Sequence, residues 1–123
     1  LTARLKHLGF PRSLRLNDSG DFQHVFDKAT KSADRYLTVL ARANGGFPPR
    51  LGLAISRKQI RKATDRNRIK RVIRESFRLG QHGLEGLDFI VMARTPAIQA
   101  SHAALRYSLQ KHWQNQVKQC KPS

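Results

Sequence analysis

The run LGLAISRKQIRKATDRNRIKRVIRESFRLG, residues 51–80, changes its period halfway along. Over residues 51–56, Leu51, Leu53 and Ile55 alternate with the small Gly52, Ala54 and Ser56, which is the period of a strand. After the basic connector RKQIRKA, Ile69, Val72, Ile73 and Phe77 recur at helical spacing, with Thr64 placed to cap a helix that runs to about residue 79. A strand feeding an amphipathic helix through a short connector points to a sheet with helices laid against it. Gly80, Gly83 and Gly86 end the helix. Their spacing lacks the strand before and the Lys-Ser/Thr after that a phosphate-binding loop needs, so they read as a linker.

Upstream, residues 36–42 also alternate, with Leu37, Val39 and Ala41 on one face and Tyr36, Thr38 and Leu40 on the other. The Gly-Gly-Phe-Pro-Pro stretch at 45–49 suits neither a helix nor a central strand, so the strands on its two sides are expected to form a hairpin. Earlier still, Asn17-Asp18-Ser19 offers N-cap chemistry to a short helix whose Phe22, Val25, Phe26 and Ala29 share a face. Downstream, LDFIVMAR at 87–94 reads as a strand buried on both faces and stopped by Thr95-Pro96. A last helix over about 101–117 carries Leu105, Leu109, Trp113 and Val117 at every fourth position. The order helix, strand, strand, helix, strand, helix describes an α+β two-layer sandwich. Residues 1–16 read as a basic extended arm, 17–119 as a single domain and 120–123 as a tail.

The chain has 123 residues, enough for one ordinary domain, with 24 Lys plus Arg against 8 Asp plus Glu and a formal net charge of +16. Because 39% of it is hydrophobic, the charge belongs to a folded surface and not to a disordered tail, and such a surface calls for a polyanion. Ten cations lie between Arg57 and Arg78 against only Asp65 and Glu75, which is half of the net charge. On a helical projection Arg68, Lys70, Arg71, Arg74 and Arg78 occupy the arc opposite the apolar stripe. Arg66, Lys70, Arg74 and Arg78 follow at i,i+4, a like-charge spacing that weakens an isolated helix and marks this face as a docking surface. Five of the six cations on the helix are Arg, the residue suited to bidentate phosphate contact. The chain has neither helix-turn-helix spacing nor zinc ligands, and RNA is favoured over DNA.

Nothing in the sequence marks an active site. The acids are few and scattered, and Asp18 and Asp21 at a helix start are accounted for by capping. His7, His24, His82, His102 and His112 show neither HxH nor HExxH spacing and read as solvated polar residues. Cys120 is the only cysteine, so no intrachain disulfide forms, and it reads as an incidental tail thiol. No run approaches the roughly 18 apolar residues of a membrane span, and no secretory h-region opens the sequence, so a cytoplasmic protein with no membrane partner is expected.

The segment ATDRNRIKRVIRESFR, residues 63–78, resembles the signature of the bacterial ribonuclease P protein subunit, built on an Arg-Asn-Arg core followed by Ile-Lys-Arg and Ile-Arg-Glu. DFQHVF at 21–26, RLGLAISRK at 50–58 and LDFIVMAR at 87–94 look like family segments in the family's order. The resemblance implies an α+β sandwich with a left-handed βαβ crossover, like domain two of elongation factor G. It implies a small protein partner of a catalytic RNA, which with its Mg²⁺ ions removes the 5′ leader of precursor tRNA. The Mg²⁺ would be held mainly by the RNA and none by the protein, which would have no catalytic residue and be monomeric without RNA. By position, Arg66, Asn67, Arg68, Lys70, Arg71 and Arg74 match the RNA-binding motif. A cleft between the first helix and the sheet would hold the leader, implicating Phe22, Phe26, Tyr36, Thr38 and Leu40, although periodicity alone puts both Phe in the core. Arg57, Lys58, Arg61, Lys62 and Arg94 are further candidates for phosphate contacts. The alternatives are a ribosomal or other structural RNA-binding protein, which would not share the ordered segments, and a protein-only nuclease, which would cleave without RNA.

Overall fold

The computed structural model describes residues 29–120. In chain order these form β1 (Thr30–Ala33), β2 (Leu37–Ala43), β3 (Arg50–Ala54), α1 (Ala63–Gly80), β4 (Leu87–Ala93) and α2 (His102–Cys120), with 3-10 turns at Gln81–Gly83 and Thr95–Gln99. One mixed sheet has the order β1-β2-β4-β3, in which β4 runs antiparallel to β2 and parallel to β3. This is the expected α+β architecture, with α1 crossing over between the parallel strands β3 and β4. The arm at 1–16 and the first helix with Phe22 and Phe26 lie outside the described residues.

The alternation in β2 sorts its side chains as expected: Leu37, Val39 and Ala41 are fully buried beneath the helices. They meet Phe89 and Val91 of β4, Leu51 of β3, the α1 stripe Ile69, Val72, Ile73 and Phe77, and the α2 stripe Leu105, Leu109 and Trp113. The rings of Phe77, Phe89 and Trp113 pack edge to face, with centroids 5.0 to 6.1 Å apart. On the other sheet face Ile90 is fully buried, with Leu40, Ala54, Met92 and Ala29 around it. The strand 87–93 is therefore buried on both faces, as its composition indicates.

The hairpin expected between β2 and β3 does not form, because β4 is inserted between them. The loop joining them wraps the entry to β4: the Asn44 amide donates to the Gly86 carbonyl at 2.8 Å, and the Gly86 amide to that of Phe47 at 2.9 Å. Gly86 sits at φ +86°, a conformation that a side chain would strain. Arg50 and Asp88, opposite each other in the β3–β4 register, close this end with a two-pronged ion pair at 3.0 and 2.6 Å, and the Asn44 side chain donates to the same carboxylate. The sheet also has a strand that periodicity did not show, β1, paired with β2 across a turn in which Asp34 accepts the amides of Tyr36 and Leu37.

Two helix starts differ from each other. Thr64 does not cap α1: Lys62 is the N-cap residue, with no side-chain hydrogen bond, and Asp65 in the first turn faces the positive helix end. At α2 the Ser101 hydroxyl accepts the Ala104 amide at 3.0 Å, an ordinary N-cap. Cys120, read as part of a tail, is the last residue of α2, with its Sγ 3.1 Å from the Thr30 hydroxyl.

A polar row on α2, Ser108, His112 and Gln116, is buried beside the apolar stripe and pins β1 to the helix. Gln116 donates to the carbonyls of Val39 (2.7 Å) and Thr30 (3.1 Å) and accepts the Thr30 hydroxyl. Ser108 donates to Asp34, and the Ser32 hydroxyl lies 2.7 Å from His112 Nδ1. His112 is thus not the solvated residue its spacing indicated. Its Nε2 is 3.2 Å from Asp34 Oδ2, but off the line of a good hydrogen bond. Burial pushes the imidazole below its usual 6.5, against the attraction of Asp34. Burial by itself would raise the Asp34 carboxyl, but its bonds to Ser108, Leu37 and Tyr36 and the neighbouring His112 hold it below the ordinary range.

The unfolded chain therefore takes up the His112 proton before the folded one does. Stability supplied by neutral His112 is complete above about pH 6.5 and declines as pH falls toward the folded value, whereas the Asp34 contribution is complete above its unfolded value of 3.8 and is lost only in stronger acid, as pH falls from there toward its lowered folded value. Thermal unfolding followed by circular dichroism is expected to show a midpoint that falls between about pH 7 and about pH 5, and His112→Gln should flatten that interval. A wild-type midpoint that is level across it would contradict this placement of His112.

Candidate nucleic-acid interface

The basic connector is held by its single large apolar residue. Ile60 is fully buried, and its amide donates to the Ser56 carbonyl at 3.0 Å, so that Arg57, Lys58, Arg61 and Lys62 stand exposed on either side of it. Ile60 belongs to no periodic stripe in the sequence, and its one signal there is that it is a lone Ile among cations. From this point α1 continues the cationic front, because burial of Ile69, Val72, Ile73 and Phe77 fixes the roll of the helix. Asn67, Arg71 and Arg74 are exposed, and Lys70 and Arg78 are half-buried.

Two of the motif arginines are tied to the protein's own backbone. Arg66 Nη1 donates to the carbonyls of Ile60 (2.9 Å) and Arg61 (2.8 Å), fastening the connector to the first turn of α1. Arg68 reaches the carbonyls of Ala97, Ile98 and Ala100, with the shortest bond 2.8 Å to Ile98, and so holds the turn before α2. Both guanidinium groups keep their charge at the surface while organising it. Sequence spacing carries no sign of these bonds, since the Arg68 acceptors are about thirty residues away in the chain.

Among the described residues none of the six α1 cations forms an ion pair. Asp88 is committed to Arg50, and Asp34 to Ser108 and the β1–β2 turn. The front formed by Arg57, Lys58, Arg61, Lys62, Lys70, Arg71, Arg74 and Arg78 therefore keeps its field for an external anion.

The structure does not keep the sheet-face candidates together. Thr38 and Leu40 point away from the helices, opposite Met92 and Ile90 in the β2–β4 register. Tyr36 precedes β2 and packs against the main core, its ring 5.3 Å from the Arg35 guanidinium carbon. Arg94, at the end of β4, donates to the Asp34 carbonyl at 3.0 Å and lines, with Arg35, Gln59 and Thr95, a surface cleft of about 660 Å³. Arg35 was not among the sequence candidates. Phe22 and Phe26 lie outside the described residues.

No three His, Cys, Asp or Glu side chains among the described residues converge as metal ligands. No helix among them is long and apolar enough to cross a membrane.

The ribonuclease P family model matches residues 10–117. The ribonuclease P protein component of Methylococcus capsulatus is 56% identical over 115 residues, covering 94% of this chain and 90% of the relative. Among solved structures, the RNase P protein of Staphylococcus aureus superposes with a TM-score of 0.73 at 33% identity, covering 80% of this chain and 90% of that one. That of Thermotoga maritima gives 0.73 at 31% identity, covering 82% and 96%. The sandwich, the cationic α1 and the agreement over nearly the whole length lead to one assignment: the chain belongs to the ribonuclease P protein family and is the protein component of that endoribonuclease.

Proposed function

We propose that this protein binds the catalytic RNA of ribonuclease P through the cationic front of α1 and its connector, and receives the 5′ leader of precursor tRNA on the sheet face that carries Thr38 and Leu40. The observation that carries the reading is an arginine-rich helix face whose cations form no ion pair among the described residues, held by a buried stripe on the other side. Arg71, Arg74, Lys70 and Asn67 contact phosphates directly, while Arg66 and Arg68 also fix the connector and the turn before α2. Arg57, Lys58, Arg61, Lys62 and Arg94 extend the phosphate track. Tyr36 flanks the leader beside Arg35, and Phe22 and Phe26 belong to the same leader-binding set.

The cleavage chemistry resides in the RNA with its Mg²⁺. Supporting this is the use to which two of the carboxylates are put, Asp34 in a turn and Asp88 in an ion pair, neither offering a paired acid and base to a phosphodiester. The protein's part is electrostatic and positional: it lowers repulsion between RNA segments and favours precursor over mature tRNA by binding the leader. It acts in the cytoplasm as a monomer until RNA binds.

Purified protein is incubated with labelled precursor tRNA at low Mg²⁺, with and without a bacterial ribonuclease P RNA. Release of the 5′ leader is expected only when both are present. Release by the protein alone would place an active site in this chain.

A further inference from the structure

Two exposed apolar side chains stand on the outer surface of the helical layer: Leu79, 68% exposed near the end of α1, and Tyr107, 65% exposed on α2. Both line a cavity of about 410 Å³, which adjoins a second of about 440 Å³ through the shared residues Gly80, Gln110 and Trp113, and the two together make a groove between α1 and α2. Gly80 leaves the groove open, since a Cβ there would meet nothing within 4 Å. Trp113 forms its floor, oriented by a 2.9 Å hydrogen bond from the indole N–H to Ser76. The charged residues lining it are Arg106 and Lys118, Lys111 stands 5.4 Å from the Tyr107 ring centroid, and no carboxylate lines either cavity.

We propose that this groove between α1 and α2 binds unpaired bases of a single-stranded RNA segment, at a site separate from the cationic front and from the sheet face. An apolar slot with aromatic surface stacks bases of any sequence, and the flanking cations meet the phosphates. Gln110 offers both a donor and an acceptor to a base edge. The lining carries only positive charge, which suits a polyanion. A protein segment would have to bring its own acids to satisfy it. The inference rests on the reading of this chain as an RNA-binding protein and adds a second RNA site to it.

Trp113 is the only tryptophan of the chain, so tryptophan emission has a single source, at the floor of this groove. Full-length protein is titrated with a single-stranded uridine oligonucleotide, and binding is followed both by Trp113 emission and by anisotropy of a label on the RNA. Quenching is expected on binding, and Tyr107→Ala with Leu79→Ala should abolish it and weaken the oligonucleotide about 5- to 100-fold, the usual range for lost stacking. Gln110→Glu, a change of similar size at an exposed position, should weaken it by repelling phosphate. All three positions are exposed, and circular dichroism melts would show the variants folded. Binding by anisotropy with Trp113 emission unchanged, or with affinity unaltered by these substitutions, would overturn the groove site alone and leave the groove to a protein partner. Absence of binding to the oligonucleotide alone would overturn the groove site, and absence of binding also to labelled ribonuclease P RNA, followed by the same anisotropy, would overturn the RNA-binding reading itself.

Discussion

Replacing Phe89 by alanine is expected to lower the unfolding free energy by about 3 to 5 kcal/mol, measured by urea denaturation. Phe89 has no exposed surface, lies on the strand between β2 and β3, and touches both helices through Phe77 and Trp113. Its removal would leave a void that neither neighbouring ring can fill without leaving its own packing. In a domain whose whole stability is about 5 to 15 kcal/mol, that is a large share. Phe47→Ala provides the contrast: at 67% exposed, its ring should matter by no more than about 0.5 kcal/mol. Equal losses at the two positions would contradict the core described above.

The second large effect concerns RNA. Arg71→Ala with Arg74→Ala removes two exposed cations from α1 that make no hydrogen bond or ion pair among the described residues. Folding should be nearly unchanged, within about 0.5 kcal/mol. If the front neutralises about five phosphates, the slope of log affinity against log salt is about −3.5 to −4.5, and the double variant should be shallower by about 1.4 to 1.8. Affinity for ribonuclease P RNA should fall by roughly tenfold or more for each arginine. Arg68→Ala would behave differently, losing thermal stability as well, because the turn before α2 loses the Arg68 bonds to three of its carbonyls. An unchanged slope in the double variant would exclude these two arginines from the interface.

Much of the fold is legible in the sequence because burial imposes a period. The faces of β2 and α1, the two-sided burial of β4 and the apolar stripe of α2 all follow from spacing. Pairing does not follow, since alternation gives a strand its faces and not its neighbours. β2 and β3 look like a hairpin until the hydrogen bonds of Gly86 show another strand entering between them. β1 is short and polar, and its pairing depends on Gln116 and on Asp34. The buried Ser108, His112 and Gln116 follow one another at i,i+4 beside Leu105, Leu109 and Trp113, a signal that a search for apolar residues alone cannot find. In the site, the exposed arc of α1 was readable from the helical projection. The backbone bonds of Arg66 and Arg68 were not, because their acceptors come from the connector and from a distant turn.

The position of β4 also bears on how the protein is made. A nascent chain presents β2 and β3 well before residues 87–93, yet neither has its shared partner until that segment arrives. During this interval the apolar faces of two strands and ten cations between residues 57 and 78 are exposed together on an unfinished chain. Such a chain is prone both to aggregate and to adhere to any nearby RNA. The late central strand thus makes completion of the sheet a long-range event, and rapid folding depends on how soon β4 can reach its slot.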